Sequence, residues 1–135
     1  MAERPLSPFT KVFGEGGYRW AYTNTLSILH RMTGVALVFA LLGLVVWLIG
    51  ASFGPESYRA FLPLFTGVAA KIVISLAVIA LIYHFCNGLR HLAWDIGLGF
   101  ERAAARRSAV LVIVGTVIGA GVCIYCIFMH AAGTS

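Results

Sequence analysis

The segment HFCNGLRHLAWD, His84 to Asp95, gathers two histidines, an arginine and an aspartate at the end of an apolar run. At helical spacing His84, Gly88, His91 and Asp95 fall at i, i+4, i+7 and i+11, one stripe of one helix face. Ile72 to Leu89 carries no charge, so His84 lies within an apolar layer, about six residues or roughly 9 Å of helix rise from Arg90. A neutral imidazole at that depth needs a partner, because a buried polar group without one is costly. Two partners suit it. One is the backbone or a Ser/Thr hydroxyl of a neighbouring helix. The other is iron, with Gly88 one turn on leaving room for a flat macrocycle such as haem.

A second cluster, SILHRMTG from Ser27 to Gly34, offers a different chemistry. Ser27 and Arg31 are four apart and face the same way, with His30 beside them. Arg31 is either an anchor snorkelling to the headgroups or part of a polar pocket for a carbonyl headgroup or haem propionates. Thr33 and Gly34 are small and suit close helix packing. Beyond His84, His91 and Asp95 are four apart and can hydrogen-bond along the helix. They make either a solvated, self-paired helix end or a propionate contact or proton relay near a quinone site, with Asp95 as the candidate relay. Tyr83 and Asn87 flank the stripe, and Trp94 suits an interfacial anchor. His91 lies about 10 Å of rise above His84. His30 belongs with it at the boundary, and His130 lies at the far end of the last apolar run. None shares the depth of His84, so a second iron ligand is expected from another subunit.

The elements that must hold these residues are membrane helices. Of 135 residues, 60% are hydrophobic and only 11% charged, too few charges to cover a soluble surface. The net charge of +5 flanks the apolar runs and forms no single stripe, which argues for lipid and against a nucleic-acid partner. Met32 to Pro55, Ile72 to Leu89 and Ser108 to the end are uncharged, and a span needs about 20 apolar residues. The expected fold is therefore an all-α membrane protein forming one domain over 1–135, with transmembrane helices near 28–51, 63–95 and 107–130. An irregular, interfacial N-terminal arm occupies 1–27, where Pro5, Pro8 and the glycine-rich FGEGGYRW disfavour a long helix. That arm shows no early apolar core of the kind a cleavable signal needs.

Basic residues set the expected orientation. Arg4, Lys11, Arg19 and Arg31 lie before or at the start of the first span, and Arg90, Arg102, Arg106 and Arg107 surround the last connection. The first connection has only Arg59 and the tail none. The N-terminus then faces the cytoplasm or matrix and the C-terminus the outside. Cys86, Cys123 and Cys126 all lie in apolar runs and read as packing residues. No phosphate loop, nucleophile–base pair or paired carboxylates appear, and no acid lies within the three uncharged runs, which disfavours a proton-coupled transporter.

In this order, RPLSP (Arg4 to Pro8), SILHRMTG and the HxxxGxRHLxxD pattern of His84 to Asp95 resemble the cytochrome b-type membrane anchor subunits of succinate dehydrogenase, respiratory complex II. The likeness covers nearly the whole chain; Phe9 departs from it, since many members carry histidine after Ser-Pro. The resemblance implies that His84 is an axial ligand of haem b shared with a second small anchor subunit. It implies that Ser27 and Arg31 line the ubiquinone pocket, and that His30, Arg31 and His91 lie near the propionates. A flavoprotein and an iron–sulfur subunit would oxidise succinate, and electrons would pass to ubiquinone. The membrane would be a bacterial inner membrane or the mitochondrial inner membrane. A fumarate reductase-type anchor and a haem-free structural anchor are the alternatives.

Overall fold

A computed structural model describes residues 22–133, with side chains for 24–129. The expected N-terminal arm falls almost wholly outside the described residues, and so does the side chain of His130. Four helices follow one another: α1 (Tyr22–Ser52), α2 (Pro55–Thr66), α3 (Val68–Asp95) and α4 (Arg102–Gly133). No strand occurs among the described residues. Three segments, Asn24–Ser52, Val68–Asp95 and Arg102–Met129, are long and apolar enough to cross a membrane. The three expected spans are all present.

Their boundaries differ from expectation in three places. First, α1 begins at Tyr22, so Ser27 lies more than a turn inside the helix. Tyr22 to Met32 contains neither proline nor glycine, and nothing stops the helix from running back from the apolar span. Second, residues 63–66 belong to a separate helix and not to the second span. Helix α2 starts at Pro55, whose fixed φ suits a first helical position, carries Glu56 in its first turn, and ends at Gly67, an extended residue with ψ 163°. Third, α4 begins at Arg102, because the RAAAR run is made of strong helix formers.

The turn between α3 and α4 has a sequence cause. Gly97 adopts φ 85°, a left-handed conformation that glycine enters without a Cβ penalty. Its N–H donates to Trp94 O at 2.8 Å, and Leu98 N–H donates to Ala93 O at 2.9 Å. This paired pattern satisfies the last carbonyls of α3 in a Schellman motif. The Trp94 indole N–H donates to Gly99 O at 3.2 Å and closes the turn from the side.

Helix α3 is central: it packs on α1 and on α4, which touch each other little. Leu26, Tyr83, Ala109 and Val112 are buried together, with Cys86 against them. The α3–α4 seam is close because Gly119 and Gly115 face Ile82 and Cys86; a Cβ on Gly119 would lie 3.1 Å from Ile82 Cγ2. Small residues let helices approach this closely in lipid, where no hydrophobic force draws them together. Polarity is inverted relative to a soluble protein. Phe39, Leu41, Val117 and many similar residues are exposed, while Asn87 and Arg90 are buried. Helix α2 lies against the end of α1: Ser57 Oγ donates to Gly50 O at 2.7 Å, and Phe61 packs on Gly50. Trp47 contacts Tyr58 and Phe65.

Candidate functional site

The site forms where the turn His30–Gly34 of α1 meets the two turns His84–His91 of α3. The His84 ring is half-buried and its Nδ1 lies 3.1 Å from His30 O and 3.3 Å from Thr33 Oγ1. Gly34 makes this approach feasible, since a Cβ there would lie 3.0 Å from His84 Cε1. The His30 ring stacks on the His84 ring, centroids 3.9 Å apart and planes 13° from parallel. His91 tilts against His30 with centroids 5.1 Å apart. Gly88 lies beneath the same group, its Cβ direction pointing to His30 Cε1 at 3.8 Å.

This geometry corrects one expectation. His30 does not stay at the boundary away from His84; the two rings lie face to face at one level. The packing of α1 on α3 is the reason: the small Gly34 lets the His84 ring come up against the α1 backbone beside His30. The expected His91–Asp95 pairing is also absent among the described residues. His91 Nε2 lies 3.3 Å from Asn87 Nδ2, while Asp95 is exposed at the last turn of α3. Ser27 is half-buried and Arg31 exposed, on the same end of α1 as His30.

Asn87 and Arg90 complete the surroundings on the α4 side. Asn87 is fully buried, and its Oδ1 has no hydrogen-bond partner; His30 Nδ1 is likewise buried without one. Arg90, read from the sequence as part of a helix end, is buried in the seam. Its Nε donates to Ser108 Oγ at 3.1 Å and a terminal nitrogen to Ala105 O at 3.4 Å. The guanidinium also covers the Trp94 ring at 4.1 Å. A shallow cleft of about 310 Å³ beside it is lined by Cys86, Leu89, Arg90, Ser108, Leu111 and Val112. Tyr83 donates its hydroxyl to Leu26 O at 2.7 Å, fastening α3 to α1 near the site.

The donor set fits iron carried in a macrocycle better than a bare ion. No group of three or more His, Cys, Asp or Glu converges on one point among the described residues. One imidazole held through Nδ1 suffices for an axial position, which needs a single donor from each side. The unpartnered His30 Nδ1, together with Arg31 and His91 nearby, supplies hydrogen-bonding and cationic groups suited to carboxylate side arms.

Residues 2–123 match the sequence profile of the succinate dehydrogenase/fumarate reductase transmembrane subunits. The chain belongs to this family. Among its relatives is the succinate dehydrogenase cytochrome b556 subunit of Rickettsia conorii, 40% identical over 116 residues, covering 86% of each chain. The mitochondrial succinate dehydrogenase cytochrome b560 subunit of Bos taurus is 39% identical over 119 residues, 85% of this chain and 66% of that protein. Its Homo sapiens counterpart is 36% identical over 121 residues, 87% of this chain and 68% of that protein. As a member of this transmembrane family with three spanning helices, the chain is a multi-pass membrane protein.

Sequence reasoning marked the His84 stripe but gave Thr33, Gly34 and Asn87 no part in the site. Thr33 and Gly34 read only as small packing residues. Their spacing from His30, three and four residues along, was the available signal that they share its face.

Proposed function

We propose that this chain is a haem b-binding membrane anchor of succinate dehydrogenase. The observation that carries the reading is the seat of His84: an imidazole on a membrane-length helix, hydrogen-bonded through Nδ1 to α1, in a chain of this family. The cytochrome b names of the relatives support haem b as the cofactor. Haem bound there supplies one-electron storage within the membrane. His84 would hold the haem from this chain, and a second small anchor subunit would hold it from the other side. His30, Arg31, Gly88 and His91 form the near wall, with the cationic and hydrogen-bonding groups directed to the propionates.

Ser27 and Arg31 belong to the ubiquinone pocket. Arg31 hydrogen-bonds a quinone carbonyl and stabilises the negative charge that develops there on reduction, and Ser27 adds a polar contact. Asp95, exposed at the end of the stripe, exchanges protons with the aqueous side. Succinate oxidation takes place in the flavoprotein, with an iron–sulfur subunit between it and the quinone; this chain holds both to the membrane. It forms one domain, with its N-terminus on the cytoplasmic or matrix side of a bacterial inner or mitochondrial inner membrane. That orientation puts Ser27 and Arg31 on the side where the soluble subunits dock. The names of the relatives favour succinate oxidation over fumarate reduction.

A reduced-minus-oxidised optical spectrum of the complex, purified through this chain, tests the reading. A b-type band and co-purification of a second anchor, an iron–sulfur protein and a flavoprotein are expected. Those partners without the band would leave a haem-free structural anchor. Substrate flux in vesicles without such partners would replace the reading with a transporter.

A further inference from the structure

The hydrogen bonds at His84 fix which ring nitrogen carries its proton. His30 O, 3.1 Å from Nδ1, is a carbonyl and can only accept. An unprotonated Nδ1 would set its lone pair against that carbonyl, so Nδ1 carries the hydrogen. Thr33 agrees with this assignment. Its hydroxyl lies 2.8 Å from Leu29 O and 3.0 Å from His30 O, and the one hydroxyl hydrogen goes to a carbonyl. Towards His84 Nδ1, at 3.3 Å, Thr33 Oγ1 therefore accepts. The imidazole is left with Nε2 as its only lone pair, and no hydrogen bond engages Nε2 among the described residues.

We propose that Thr33 is a positioning residue for haem: with the His30 carbonyl it accepts the Nδ1–H of His84, orienting the ring so that Nε2 meets the iron. The inference rests on the haem reading above and adds a residue and an atom to it. A ligating imidazole that donates through its other nitrogen is held in one tautomer and one orientation, and becomes more basic. Greater basicity favours ferric over ferrous iron, so Thr33 also lowers the haem potential. Gly34 belongs to the same device, because a Cβ there would lie 3.0 Å from His84 Cε1 and crowd the ring.

The test is a spectroelectrochemical titration of the assembled complex carrying Thr33→Val, which keeps the shape and removes the acceptor, and Thr33→Ser, which restores a hydroxyl. Thr33→Val is expected to retain haem and shift the ferrous-to-ferric equilibrium towards ferrous by up to tenfold. For one electron that is a rise of about 59 mV. Thr33→Ser should stay close to the parent. Haem lost from Thr33→Val but kept in Thr33→Ser also supports the role. An unchanged or lowered potential in Thr33→Val, or haem lost from both variants, overturns it. A high-resolution map of the parent complex gives a readout independent of the variants: iron on Nε2 with Nδ1 against Thr33 and His30 O supports the proposal, and iron on Nδ1 refutes it. A parent complex without haem refutes the underlying reading instead.

Discussion

At the scale of single residues, the site depends on one imidazole and the groups that hold it. His84→Ala removes the proposed ligand and leaves the stacked His30 ring without its neighbour. The expected result is loss of most of the haem, at least tenfold by pyridine haemochrome assay, with the anchor still in the membrane. Arg31→Ala should behave differently, because Arg31 is exposed on this chain and bears no packing load. Loss of a charge-assisted hydrogen bond of about 1.5–3 kcal/mol predicts a ten- to hundredfold fall in succinate–quinone reductase activity. Haem content and succinate oxidation with a soluble acceptor should stay near normal. The stripe from His84 to Asp95 was legible in the sequence because helical periodicity is a property of one helix. The stacking of His30 on His84 was not. Rise along a helix axis says nothing of how far a neighbouring helix slides past it; the contact of His84 with Gly34 and the His30 carbonyl shows that level.

At the scale of elements, the α3–α4 seam rests on glycine. A Cβ on Gly119 already meets Ile82 at 3.1 Å, so Gly119→Leu overfills the contact and costs about 1–3 kcal/mol. A lower melting temperature of the purified complex is expected, with the absorption maximum of any haem unchanged, since the His84 seat lies on the α1 side of α3. The three spans could be read from uncharged runs of bilayer length. Helix α2 could not. Its end, PLFT, is apolar enough to pass for the beginning of the next span, and the break depends on Gly67 adopting an extended conformation. Arg90 escaped sequence reading for a related reason. An arginine at a helix end resembles a solvated charge until Ser108 and Ala105 of α4 are brought to it.

At the scale of the whole molecule, the flanking charges predict a membrane orientation. Glu56→Cys in α2 and Glu101→Cys before α4 lie on opposite sides of the span formed by α3. With the N-terminus on the cytoplasmic or matrix side, a membrane-impermeant thiol reagent added outside should label the Glu56→Cys variant in intact cells. The Glu101→Cys variant should react only in inverted vesicles. The reverse pattern would move Ser27 and Arg31 away from the docking face of the soluble subunits.

Among the described residues, the hydrogen bonds that aim His84 come from α1, whereas the histidine itself belongs to α3, and α4 contributes none of them. A nascent chain synthesised only as far as Asp95 already contains every group that orients the ring. On the proposed haem reading, the ring is therefore ready for the cofactor once the first and second spans have docked.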